Sequence, residues 1–209
     1  MAYTATNWVE GVTTLGPTNM NKIETELVFL DTRIPPAAVN YGTTLPGSPV
    51  DGQEAILVDS TTAPTYQWRF RYNNGSSSSY KWEFIGGSPY TTYLATQENI
   101  GTLSTWQDLT TVGPRLLVPR AGDYFAIGHV QGQGAATSTL LQIDLWAGTS
   151  AAVNVPEATV SASPGDYKTI AVQGRANAVG AGSDVRLRYW GNAAGGFANR
   201  GLTVWPVRV

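Results

Sequence analysis

The chain contains no cysteine, so neither a disulfide framework nor a thiolate metal site can be built from it. It has a single histidine, His129. That leaves no His pair for zinc and one imidazole for which every Ser and Asp would compete in a catalytic triad. Charged residues make up only 13% of the 209 residues, against about 25% in an average soluble protein. Net charge is −2 and no basic stripe is present, so there is nothing to neutralise a phosphate backbone and nucleic acid is not an expected partner. No window approaches the roughly 20 apolar residues that a membrane helix needs, so membrane insertion is not expected. The opening "MAYTATNWVEGVTT" has neither a basic n-region nor an apolar h-region. The expectation is a protein made in a cytoplasm without a signal peptide.

What fills the place of charge is Gly (23 residues) together with Thr, Ser and Ala. That composition suits short strands, many turns and surfaces that face another chain. One segment alone reads as helix, "PTNMNKIETELVFLDTRI" at 17–34. Thr18 or Asn19 can cap it, and the "PP" at 35–36 ends it. Its apolar residues Met20, Ile23, Leu27, Leu30 and Ile34 follow the alternating three- and four-residue spacing of a coiled-coil seam. Two arrangements satisfy such a seam: an amphipathic helix packed on its own domain, or a short bundle between identical chains. In the second arrangement, Ile at both kinds of seam position favours more than two strands.

A second segment, "TYQWRFRYNNGSSSSYKWEF", carries an aromatic residue at every second position in two runs. Tyr66, Trp68, Phe70 and Tyr72 alternate with Gln67, Arg69 and Arg71; Tyr80, Trp82 and Phe84 alternate with Lys81 and Glu83. Period two puts aromatics on one face of each strand and polar groups on the other. The Ser/Gly-rich loop between the runs makes them an antiparallel hairpin whose aromatics share a face. Exposing all seven rings would leave an apolar patch too large for a soluble monomer, so this face is expected to be buried. Sugar stacking on the strand pair is the second reading. On the polar face, Arg69 or Arg71 can meet Glu83 across the pair.

Beyond "GGSPYTTY" at 86–93 the texture changes to short strand candidates separated by turns. They are "WQDL", "PRLLVP", "DYFAIGHVQ", "TLLQIDLWA", "ATVSA", "KTIAVQGRA", "DVRLRYW" and "LTVWPVRV". An all-β sandwich or jelly roll follows. The expected organisation is a mostly β protein in three parts: an attachment segment and helix at 1–36, a small β module at 37–90 and a jelly-roll-like domain at 91–209. The segment "GNAAGGFANRG" reads as a loop at one end of the sandwich. Trp190, Asn192, Phe197, Asn199 and Arg200 cluster around it as a possible site for a glycan or for a neighbouring chain. Asp51, Glu54, Asp123 and Asp166 lie in turn signals. With no catalytic or metal-binding set selected, the chain reads as non-enzymatic and without a cofactor.

The run "LPGSPVDGQEAILVD…YQWRFRYNNGSSSSYKWEFIGGSPY", about residues 45–90, closely resembles a module of tailed-bacteriophage virion proteins. The opening "NWVEGVTTLGPTNMNKIETEL" is similar to the start of many phage tail and fibre proteins. "AGDYFAIGHVQ" and "LTVWPVRV" resemble, in style, trimeric jelly-roll domains of fibres, spikes and C1q/TNF-like heads. The resemblance implies a trimeric structural protein on the virion surface. Its N-terminal segment would bind other virion proteins, and its C-terminal β domain would face outward towards a host surface glycan or protein. A tail fibre or tail-tip protein and a head fibre or capsid decoration protein both fit these parts.

Overall fold

The computed structural model describes residues 21, 23, 25, 39–103, 105–136, 139–148, 150–151 and 158–209. The chain divides into two compact units, 1–38 and 39–209. In the first unit Asn21, Ile23 and Thr25 are helical and exposed; Met20, Leu27, Leu30 and Ile34 of the expected seam lie outside the described residues. In the second unit the described residues are mostly β and contain no helix.

The strands in chain order are β1 (Asn40–Gly42), β2 (Glu54–Val58), β3 (Gln67–Tyr72), β4 (Trp82–Ser88), β5 (Tyr90–Leu94), β6 (Glu98–Ile100) and β7 (Arg115–Leu117), followed by β8 (Gly122–Gly134), β9 (Thr139–Ala147), β10 (Ser150–Ala151), β11 (Ala158–Ala162), β12 (Tyr167–Val179), β13 (Asp184–Gly191) and β14 (Gly195–Arg208). From β5 onward the pairings nest. β9 pairs β11, β8 pairs β12, β7 pairs β13, and β5 and β6 pair β14, all antiparallel. β8 then pairs β14 in one sheet and β9 pairs β13 in the other. A long hairpin folded over on itself in this way gives two facing sheets with jelly-roll connectivity.

Alternation along the strands explains why the sheets face each other. β8 turns Tyr124, Ala126 and Val130 inward and Phe125, Ile127, His129 and Gln131 outward. β13 turns Val185, Leu187 and Tyr189 inward, and β9 adds Leu141, Ile143 and Leu145. Glycines of β8 sit where these side chains press closest: a Cβ on Gly128 would strike Leu187, and one on Gly132 would strike Leu141. The spacing between the two sheets therefore depends on large residues of one filling hollows in the other.

The aromatic hairpin formed by β3 and β4 extends the larger sheet, in which β1, β2, β3, β4, β14, β8 and β12 are successive neighbours. The boundary expected at residue 90 therefore does not separate two units. Trp82 and the terminal Val209 exchange backbone hydrogen bonds of 3.0 and 2.9 Å, which join β4 to the end of β14. Trp68 and Phe70 are fully buried. Tyr66 stacks on Trp68 with ring centroids 4.1 Å apart, and Trp68 reaches Tyr124 of β8 at 6.1 Å. Phe70 meets Phe84 edge-on at 6.0 Å, and Tyr72 meets Trp82 at 5.3 Å. Tyr72, Tyr80 and Phe84 are partly buried, and Tyr72 and Tyr80 border a shallow open groove with Leu45, Pro46 and Val209. On the polar face Arg71 lies opposite Glu83 in the register, while Arg69 pairs with Glu54 at 2.5 Å and Glu83 accepts a hydrogen bond from Asn73 at 2.8 Å. Arg69 is exposed and Glu54 partly so, and the pair contributes little stability.

Other expectations are corrected. "WQDL" forms no strand; Gln107 alone bridges to Tyr189. "GGSPYTTY" is not a boundary, because Tyr90–Leu94 pairs with β14. "GNAAGGFANRG" is not a loop beyond its first residues, because β14 begins at Gly195 and runs through the middle of the sheet.

Gly87 lies near the end of β4, opposite Trp68 of β3, just before the chain enters β5 beside β14. Its φ of 120° lies where L side chains rarely go, and a Cβ there would collide with the Gln67 carbonyl oxygen. Gly87→Ala is expected to cost about 1–3 kcal/mol from backbone strain alone. Trp68→Ala, which empties the largest fully buried side-chain site, should cost about 3–5 kcal/mol. Urea denaturation of both variants checks these values, and a wild-type midpoint for either would contradict this packing.

Candidate binding face and the ion pair behind it

The five residues expected to share one loop are separated by the fold. Trp190 lies half-buried in β13, opposite Gln142 of β9. Asn192 sits in the β13–β14 turn, where its Oδ1 accepts the Leu140 N–H at 2.8 Å. Phe197 is fully buried and packs on Tyr189 with centroids 4.9 Å apart. Arg200 is 1% exposed on the core side, and Asn199 emerges on the opposite side of the same strand. The five cannot act together. The structure instead draws attention to Arg200 beneath the sheet and Asn199 above it.

Arg200 lies in the interior and forms an ion pair with Glu98 of β6. Its Nη1 also donates to the carbonyls of Thr111 and Gly113, both at 3.4 Å, and its guanidinium faces the Tyr189 ring at 5.9 Å. Glu98 accepts the Thr111 N–H at 2.9 Å on its other oxygen. Burial opposes ionisation of Glu98, but the Thr111 N–H and the Arg200 guanidinium outweigh it and hold the carboxyl below its ordinary range. The Tyr189 hydroxyl donates to the Gly113 carbonyl at 2.7 Å, and burial pushes that phenol well above its usual value. One buried guanidinium thus ties β6, β14 and the 111–113 segment together.

Directly above, β14 is irregular. A bulge lies between Ala198 and Gly201, and Asn199 has a φ of 48°. Bulges re-aim side chains, and a non-glycine residue held at positive φ is a strained position. The side chain so aimed accepts the Tyr93 hydroxyl at 2.5 Å on Oδ1 and donates from Nδ2 to Gln131 Oε1 at 2.6 Å. A second set runs alongside: the Tyr167 hydroxyl donates to Gln97 Oε1 at 3.1 Å, and Gln97 donates to Asn99 Oδ1 at 3.0 Å. The side chains of Gln97 and Asn99 lie over Gly196, and the His129 ring lies over Gly201. A Cβ at either glycine would push them off the sheet. The result is a face of aromatic rings and amides fixed by mutual hydrogen bonds.

A charged cluster lies at the other end of β8, where Asp123 accepts from Arg175 at 2.9 Å, Arg208 at 2.8 Å and the Ala178 N–H at 2.9 Å. Burial opposes ionisation of Asp123, yet these donors hold its carboxyl below the usual range. Among the described residues no group of three or more His, Cys, Asp and Glu could hold a metal ion, and no helix is long and apolar enough to cross a membrane.

No protein-family profile matches the chain, and no curated protein matches it. Among solved structures it is similar to that of infectious bursal disease virus, Gx strain, at 11% identity and a TM-score of 0.42; the match covers 79% of this chain and 56% of that one. It is similar to the globular domain of the zebrafish complement 1qA protein at 10% identity, covering 57% of this chain and 98% of that one, with a TM-score of 0.34. A carbohydrate-binding module of Cellvibrio mixtus lichenase 5A, in complex with cellotriose, matches at 16% identity over 54% of this chain and 95% of that one, with a TM-score of 0.27. The chain spans little more than half of the viral chain's length. At these TM-scores the likenesses carry no weight for fold or function.

Because the Glu98 carboxyl is held low in the folded protein, its contribution to stability is present above the unfolded value of about 4.3 and is lost as pH falls through the lower folded value. Glu98→Gln, which leaves Arg200 buried without a counter-charge, should cost about 3 kcal/mol or more at pH 7. The gap between wild type and variant should narrow in denaturation experiments below about pH 4. A gap that stays constant from neutral to acid pH would show that the carboxylate does not hold Arg200.

Proposed function

We propose that the protein is a non-enzymatic structural protein of a tailed-bacteriophage virion, a homotrimeric tail-fibre or tail-tip component. In this reading residues 1–36 attach to other virion proteins and the C-terminal β domain faces a host surface. The observation that carries the reading is the resemblance over residues 45–90, from "VDGQE" to "YKWEF". Those residues also form one physical piece. The Gly52 N–H donates to the Tyr72 carbonyl at 2.9 Å, and Asp51 Oδ1 accepts the Asn74 N–H at 2.8 Å. The "VDGQE" turn thereby fixes both the end of β3 and the Ser/Gly loop before "YKWEF". Low charge and the lack of cysteine are compatible with a part that spends its life against other copies in a particle.

Gold labelling of intact virions with an antibody against residues 91–209, viewed by electron microscopy, tests the reading. Label at the tail end is expected. Label over the head would instead make the protein a head fibre or capsid decoration protein. Particles without label would overturn the virion role. The purified chain should sediment as a trimer, and a stable monomer would contradict that part of the proposal.

A further inference from the structure

Two tyrosines on the outer face of β5, β14, β8 and β12 are held in a way that core packing does not require. Tyr93 is 56% exposed and Tyr167 50% exposed, yet each has its hydroxyl tied to an amide oxygen. Tyr167 starts on β12, opposite Gln133 of β8, while Gln133 lies opposite Gly196 of β14 and Gly196 opposite Asn99 of β6. Adjacent strands are about 4.8 Å apart, so the Tyr167 hydroxyl can meet Gln97 only if both side chains lean across β8 and β14. The Tyr167 side chain therefore lies across the sheet, half exposed and anchored at its hydroxyl. Its torsions are fixed before any ligand arrives, which reduces the ordering that binding would otherwise require.

We propose that this face, centred on Asn199, binds a neutral oligosaccharide, with Tyr167 and Tyr93 as stacking platforms and Gln97, Gln131 and Asn199 as hydrogen-bonding partners for sugar hydroxyls. The inference rests on the reading of this domain as outward-facing and names the chemistry that it meets there. Charge complementarity selects the ligand. From Gln133 to Ile127 on β8, and from Gly196 to Thr203 on the outward side of β14, the face presents amides, small residues, Ile127 and rings, among them the exposed His129 imidazole, without a carboxylate, guanidinium or ammonium. Lys168, next to Tyr167, points to the other side by strand alternation and is paired with Asp166 at 2.8 Å. The charged set of Asp123, Arg175 and Arg208 is engaged with itself at the end of the sheet. Such a face offers no compensation for an anionic polymer, whereas amide groups offer donors and acceptors side by side, which is what a sugar hydroxyl needs. Flat apolar rings meet the C–H face of a pyranose.

The test is a printed glycan array probed with the full-length protein. It carries chitotetraose, cellotetraose, maltotetraose and a galactomannan fragment as neutral probes, and heparin and polysialic acid as anionic ones. Retention by at least one neutral probe and by neither anionic one is expected. Tyr167→Ala and Tyr93→Ala should each weaken that retention by about tenfold or more. Gln131→Ala, a smaller change, should weaken it by less, and Leu117→Ala on β7 of the other sheet should leave it unchanged. Melting curves equal to wild type confirm that the variants fold. Four outcomes would overturn the proposal: no retention on any probe, retention on anionic probes alone, neutral retention indifferent to both tyrosines, or loss of the trimer in Tyr167→Ala, which would mean that a second copy covers the face. Labelled virions without neutral-glycan retention would defeat this inference alone. Retention by a protein that does not label virions would defeat the virion reading alone.

Discussion

Strand β14 holds the second unit together. On one side it pairs with β8 along most of its length. On the other side it meets β6, β5 and β4 in turn, as the chain from Trp82 to Ile100 runs antiparallel beside it. Among the described residues, the aromatic hairpin meets the two-sheet body through this strand and through the rings packed beside it. β14 follows the other strands in chain order, so the sheet cannot close until it is present. Beyond it Val209 is buried and bonded to Trp82.

The same strand explains how the interior and the candidate face are coupled. At the bulge after Ala198 one residue goes down and its neighbour goes up. Arg200 goes to the core, where Glu98 and two carbonyls receive it, and Asn199 goes to the surface, where Tyr93 and Gln131 hold it. A guanidinium is costly to bury without its counter-charge, so the pair fixes the bulge in place. The strained backbone at Asn199 then becomes a fixed feature of the outer face. This is a physical route by which a residue with no exposure of its own determines the geometry of a surface.

Much of the fold is legible in the sequence wherever alternation is clean. "DYFAIGHVQ", "ATVSA" and "DVRLRYW" lie within strands because each shows a polar and an apolar side at period two. The aromatic hairpin is legible for the same reason. The first half of β14 is not, because Gly195, Gly196, Asn199 and Gly201 look like loop residues. The three glycines stand there for lack of room: neighbouring side chains and the Gln133 carbonyl occupy the space where a Cβ would stand. The ion pair is hidden by distance, since Glu98 and Arg200 are 102 residues apart and neither carries a local signature. The candidate face is hidden for a related reason. Tyr93, Gln97, Gln131, Tyr167 and Asn199 are scattered along the chain: Tyr93, Gln131 and Tyr167 are outward members of alternating strands, Gln97 lies between two strands and Asn199 at a bulge. Asn199 was singled out in the sequence, but with loop companions that the fold sends elsewhere.

The central claim is that β14 joins the hairpin and the two-sheet body into one cooperative unit. Native-state hydrogen exchange, followed residue by residue by NMR across increasing denaturant, tests it most directly. The account predicts that the amides of β14, β8 and β3 reach the same opening free energy and the same denaturant dependence, the behaviour of one global unfolding unit. Exchange of β2, β3 and β4 through a separate, less stable opening, with β8 and β14 still protected, would contradict it.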